Sequence, residues 1–136
     1  MSAAIPEQFN EIIEKSIFIW FTTVRADGMP QPTPVWFVRD GDTFVIYTPA
    51  DTHKIKNLQA TSKVALGLAN EDAGDYFVVQ GEAQVDRSLP PANKNAAYFK
   101  KYKDSIAEIG MTPESFIERF SEPIRVTPTH VRGDIE

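Results

Sequence analysis

Two Asp-Gly pairs, Asp27-Gly28 and Asp40-Gly41, punctuate runs dense in β-branched and aromatic residues, and this pattern constrains the fold most. Residues 17–24 read IFIWFTTV, residues 31–39 read QPTPVWFVR and residues 43–48 read TFVIYT. Such runs favour extended backbone. An Asp-Gly pair readily accepts the positive φ of a type I′ reversal. The spacing therefore predicts a three-stranded antiparallel meander whose first strand is buried. Pro32 and Pro34 lack the N–H that a ladder needs, which places them at a bulge or a locally unpaired stretch.

The flanking segments fill out the order of elements. Residues 6–15 carry Phe9, Ile12 and Ile13 on one helical face. A short helix is expected over 53–61, with Ile55 and Leu58 turned inward. Residues 63–70 and 75–86 read as strands, the second interrupted by Gly81, which marks a bend or the close approach of another backbone or a ligand. Residues 91–103 read as a helix with Ala97, Tyr98 and Tyr102 on one side. Thr112-Pro113 opens another helix, Thr as N-cap and Pro in the first turn, followed by Phe116, Ile117 and Phe120. A last strand covers 122–132, broken by Pro128. Six strands, mostly antiparallel neighbours, with helices between them predict a mainly β fold: a β-barrel with peripheral helices, one domain over residues 1–136.

Composition narrows the function. There is no cysteine, which removes disulfides, thiolate metal sites and cysteine nucleophiles together. Two histidines, His53 and His130, are too few for a multi-histidine metal site. A net charge of −5 argues against nucleic acid or an anionic membrane as partner. No apolar run approaches the roughly 18–20 residues of a membrane span. Residues 1–6 lack a basic region followed by an apolar stretch, so no secretion signal is expected and a cytoplasmic location is the expectation.

Residues 48–58 (TPADTHKIKNL) carry the most chemistry. Asp51 or Thr52 can cap a helix, and His53, Lys54 and Lys56 follow at once. Cations are unfavourable at the positive end of a helix dipole. Clustering them there makes sense if an anion sits on the free N–H groups, as a phosphate would. The plainer alternative is a pair of solvated surface lysines. Asn57 can donate to a phosphate oxygen or cap locally. Upstream, Pro34, Val35 and Trp36 lie on a strand apolar on both faces, either buried twice over or covering an interface. Tyr47 and Thr48 end the neighbouring strand beside the cationic helix. Gln80 offers an amide to a heterocycle, with a surface amide as the ordinary alternative. No Ser-His-Asp or paired-carboxylate arrangement is present, and no catalytic acid or base can be named.

Taken in order, residues 21–30 (FTTVRADGMP), 34–37 (PVWF), 54–58 (KIKNL), 62–66 (SKVAL), 81–83 (GEA) and 123–128 (PIRVTP), with Tyr47-Thr48 and Asp75-Tyr76, span nearly the whole chain. In this ordered set the chain resembles the split-barrel flavin-binding superfamily of pyridoxamine 5′-phosphate oxidase-like proteins, and within it the small branch of deazaflavin (F-420)-dependent oxidoreductases. The resemblance implies a split β-barrel homodimer with cofactor sites at the subunit interface. It implies that Lys54, Lys56 and Asn57 hold the cofactor phosphate. Pro34, Val35, Trp36, Tyr47 and Thr48 would then lie along the ring, with Gln80 and Gly81 as weaker wall contacts. FMN and F-420 share ring, ribityl chain and phosphate, so both stay open. Arg25, Arg125 and Arg132 are candidate linings for the longer tail of F-420. Tyr47 and Tyr76 are candidate proton donors. The chain lacks the C-terminal Trp- and Arg-containing motif of pyridoxamine phosphate oxidase proper, since its only tryptophans are Trp20 and Trp36. The implied activity is hydride transfer between a bound F-420 or FMN and a small conjugated substrate. The alternative is a flavin or deazaflavin carrier or sensor without turnover.

Overall fold

The computed structural model describes residues 2–136. A 3-10 turn leads into helix α1 (Asn10–Lys15). Strands β1 (Ile19–Val24), β2 (Pro30–Val35), β3 (Val38–Asp40) and β4 (Thr43–Thr48) follow. Then come α2 (His53–Ala60), β5 (Lys63–Ala69), β6 (Tyr76–Val85), α3 (Ala96–Glu108), α4 (Pro113–Arg119) and β7 (Glu122–Asp134). The strands form one antiparallel sheet in the order β2-β1-β5-β6-β7-β4-β3. Its two end strands, β2 and β3, are joined in the chain by Trp36-Phe37 alone. That link curls the sheet into a half-closed, split barrel.

Seven strands replace the expected six because the middle strand of the meander breaks at this link. β2 pairs with β1, whereas β3 pairs with β4, so 31–39 is shared between the two ends of the sheet. Both faces of the segment are buried. Val35 and Phe37 pack into the barrel interior with Phe21, Phe44, Phe77 and Ile124. Trp36 and Val38 pack outward against Tyr98, Tyr102 and Phe116 of α3 and α4. Each fully buried side chain of this kind contributes about 1.5–3 kcal/mol.

The prolines of β2 occupy neither a bulge nor an unpaired stretch. Register runs unbroken from Ile19↔Val35 to Val24↔Pro30. Pro30, Pro32 and Pro34 are two residues apart, so their missing N–H groups all fall on the free side of β2. The outer edge of this end strand therefore has no donors at three successive positions.

The hairpins also differ from the type I′ expectation. Between β1 and β2, Gly28 N–H donates to the Arg25 carbonyl and Arg25 N–H to Met29, closing a three-residue loop with Gly28 at φ +90. Between β3 and β4, Asp40 pairs with Thr43, and Gly41 alone takes the positive φ, +61. β1 is half-buried rather than buried: Phe21 is inside, while Trp20 is 48% exposed. In α3 the inward residues are Tyr98, Tyr102 and Ile106, and Ala97 faces solvent. The Thr112 cap stands as expected, with reciprocal bonds to Ser115. Pro128 does not end β7. Register shifts between Gln80 and Gly81, leaving Thr129 as an extra residue whose hydroxyl donates to the Gln80 carbonyl. Among the described residues, no helix is long and apolar enough to cross a membrane.

Candidate functional site

The split in the barrel is the candidate site. β3 covers only the first half of β4, pairing with Thr43, Phe44 and Val45. Beyond that point Ile46, Tyr47 and Thr48 bond to β7 on one side and to no strand on the other. The donor-free edge of β2 lies across the gap, and a cleft of about 470 Å³ opens between the two strands. Pro34, Val35 and Trp36 form one wall, Tyr47, Thr48 and Pro49 another, and α3 and α4 supply Tyr98, Phe116 and Phe120. This volume lies in the range of small-ligand sites. Trp36 is locked as a wall: its ring stacks on Tyr102 at 4.7 Å with 4° between planes, and on Phe116 at 5.8 Å.

Lys54 lines one end of the cleft, on the first turn of α2. Its ammonium is partly desolvated, which holds its pKa below the usual lysine value. The helix begins without a side-chain cap. Thr52 stands at the N-cap, but its hydroxyl donates to the Pro49 carbonyl instead. Asp51 is paired with Arg119 at 3.1 Å, and the first turn of α2 holds no acid. The opening N–H groups of this helix and Lys54 thus have no internal anion, a combination that fits a phosphate.

Six of the ten residues singled out in the sequence meet in this cleft: Pro34, Val35, Trp36, Tyr47, Thr48 and Lys54. Lys56 is exposed on the same helix. Asn57 is 4% exposed and spends its amide on the protein, donating to Thr23 Oγ1 at 2.9 Å and to Gln31 Oε1 at 2.8 Å. Gln80 and Gly81 lie elsewhere, on the outer sheet face beside Thr22, Ala65 and His130. The close approach at Gly81 is a backbone one: a Cβ there would overlap the Thr127 carbonyl oxygen and reach 3.0 Å from Pro128 Cα.

The arginines and tyrosines sort by their partners. Arg125 is held by Asp86 at 2.8 Å and Asp40 at 2.9 Å and does not line the cleft, and Arg25 pairs with Asp27. Tyr47 donates its hydroxyl to the Pro90 carbonyl at 2.6 Å and accepts from Asn95 Nδ2, so no proton is free there. Tyr76 lies on the outer sheet face. The side chains that sequence reasoning did not place at the site include Phe18, Trp20 and Pro49, and those of α3 and α4, whose apolar periodicity reads only as core.

A wider depression of about 850 Å³ lies between α1, β3 and α3. Two of its cations are already engaged. Lys101 lies 3.9 Å from the centre of the Phe37 ring and donates to the Phe37 carbonyl, and burial pushes its pKa down to about 8. Arg39 is bound by Asn10 and the Gly41 carbonyl. The smaller, aromatic cleft is the better ligand site.

The profile of the pyridoxamine 5′-phosphate oxidase family matches residues 5–132. No curated protein matches the sequence significantly. Among solved structures, an F-420 reductase is similar at 26% identity and a TM-score of 0.73, covering 94% of this chain and 98% of its own. General stress protein 26 of Bacillus anthracis is similar at 19% identity and TM-score 0.69, covering 93% and 91%. A heme storage protein of Vibrio cholerae is similar at 12% identity and TM-score 0.66, covering 96% and 94%. The last two likenesses show the fold alone.

Proposed function

The chain belongs to the pyridoxamine 5′-phosphate oxidase family, and on that premise we propose that it is an oxidoreductase using a bound deazaflavin (F-420) or FMN for hydride transfer to a small conjugated substrate. One observation carries the proposal: an uncapped, acid-free helix start with Lys54 opens onto a cleft walled by a fixed Trp36. Charge at one end and flat apolar walls along the other are what a phosphate-bearing ring compound requires. The similar F-420 reductase supports the deazaflavin side of this choice.

In this reading the N–H groups of α2 and Lys54, with Lys56 at the rim, hold the phosphate. Pro34, Val35 and Trp36 lie along the ring, and Thr48 borders it near the phosphate end. Asn57 acts at one remove, fixing α2 to β1 and β2. Gln80 and Gly81 are not part of the cleft in one subunit. The cofactor, when bound, supplies the hydride; the protein binds and orients the reactants and excludes water. The chain works as a homodimer. Phe18 and Trp20 line the cleft and continue onto the exposed sheet face, so a second copy seated there would close the cleft's open side.

Equilibrium titration of the purified protein with FMN and with F-420, read by cofactor fluorescence, tests this. Tight binding of one of them is expected, weakened tenfold or more in the Lys54→Ala/Lys56→Ala double variant. Binding of neither, or equal binding by the variant, overturns the proposal. The second reading is a cofactor carrier or sensor without turnover. The commitment of the Tyr47 hydroxyl favours it, since that removes a proton donor from the cleft. Binding with no oxidation of reduced cofactor by quinones, enones or nitroaromatics would select it.

A further inference from the structure

Tyr98 is 1% exposed, on the inward face of α3. Its ring is fixed edge-on to Tyr47 at 4.8 Å and tilted against Tyr102 at 4.8 Å. These two neighbours use their hydroxyls inside the protein. Tyr47 bonds Pro90 and Asn95; Tyr102 donates toward the Ile17 carbonyl at 2.6 Å and accepts from Phe37 N–H at 2.9 Å. The Tyr98 hydroxyl bonds to none of the described residues; the backbone N–H of this residue donates to the Asn95 side chain. Nor is that oxygen sealed in the core, for it is not among the fully buried polar atoms of the described residues that lack a hydrogen bond. Tyr98 lines the aromatic cleft, and its hydroxyl keeps part of the small accessible surface of the residue.

Buried hydroxyls ordinarily find a partner, because leaving one without costs free energy. Burial, with Tyr102 and Tyr47 adding to it, drives the Tyr98 pKa upward, so the group stays a neutral O–H. Its surroundings are aromatic: Trp36 and Phe116 stand in the same cleft. We infer that the Tyr98 hydroxyl is the hydrogen-bond donor that selects a carbonyl oxygen on the flat ring held in this cleft. That ring is either the conjugated substrate or the cofactor, and the inference rests on the proposed function only in taking the cleft as the ring's site.

The test uses the Tyr98→Phe variant, which keeps the ring and removes the hydroxyl. Binding of menadione, a quinone with two carbonyls, and of methylnaphthalene, the same ring system without them, is followed by tryptophan quenching in the cofactor-free protein. FMN and F-420 are titrated separately. If the donor serves the substrate, the variant loses about tenfold in menadione affinity and none for methylnaphthalene. If it serves the cofactor, the loss appears with FMN or F-420 instead. Either loss supports the inference, provided thermal unfolding of the variant is unchanged or slightly raised, as expected on deleting an unpartnered hydroxyl. A variant that loses stability, or that binds all four compounds as the parent does, overturns it. Failure of the parent to bind FMN and F-420 overturns the proposed function, while the menadione comparison still decides the role of Tyr98.

Discussion

Both Nδ2 hydrogens of Asn57 are spent inside the protein, on Thr23 of β1 and Gln31 of β2. The side chain is buried and ties the helix that carries Lys54 to the sheet edge that carries Pro34. Truncation removes two hydrogen bonds and strands the Thr23 hydroxyl, which is itself 1% exposed. Asn57→Ala should therefore destabilise the fold by about 2–3 kcal/mol. Urea unfolding measures it as a lower midpoint with an unchanged slope. A loss under about 0.5 kcal/mol would return Asn57 to the phosphate-binding role that its place beside Lys56 in the sequence suggests. Tyr98 could not be distinguished in the sequence for a related reason. It and Tyr102 share one helical face, and periodicity assigns both to core. What separates them is whether the carbonyls of Ile17 and Phe37 lie within reach, and those come from a loop and a strand break more than sixty residues away.

At the scale of elements, Arg125 is the staple. It projects from β7 to Asp40 at the end of β3, to Thr43 at the start of β4, and to Asp86 just after β6. Arg125, then Ser88, holds the Asp86 carboxyl down to a pKa of about 2. The sign follows directly. A carboxylate with a lowered folded-state pKa adds stability above its unfolded value, near 4, and loses it as pH falls toward 2. The parent should lose stability between about pH 4 and pH 2, and Asp86→Asn should remove part of that acid limb, as seen in unfolding midpoints across the range. Parallel curves for parent and variant would show that the pair contributes nothing pH-dependent. The strands themselves were readable in the sequence, since alternation and Asp-Gly pairs are local signals. The break at Trp36-Phe37 was not, because 34–38 is apolar on both faces and only the two separate layers, barrel interior and α3–α4, explain why. The sequence singles out Lys54, Trp36 and Tyr47 as candidates, yet what brings them together is the gap that this break creates.

For the whole molecule, the outer face of β1, β5 and β6 is the large unpartnered surface. Trp20 and Thr22 on β1 lie beside Gly67 and Ala65 on β5, which in turn pair with Val78 and Gln80 on β6. The centre is small and flat, and Phe18, Trp20 and Tyr76 stand at one end, 49%, 48% and 36% exposed. A contiguous apolar face of this kind marks an interface. Self-pairing through the β2 edge is discouraged by its three prolines, so a second copy would meet the face and not the edge. The same Trp20 lines the cleft mouth, so association and cofactor binding should be coupled. Trp20→Asp places a charge on that face while altering a side chain already half in water. Sedimentation should give twice the chain mass for the parent and the single chain mass for the variant, with FMN or F-420 affinity falling at the same time. A parent that sediments as one chain at tens of micromolar and still binds cofactor tightly would remove the dimer from the proposed function and leave the cleft of one subunit sufficient by itself.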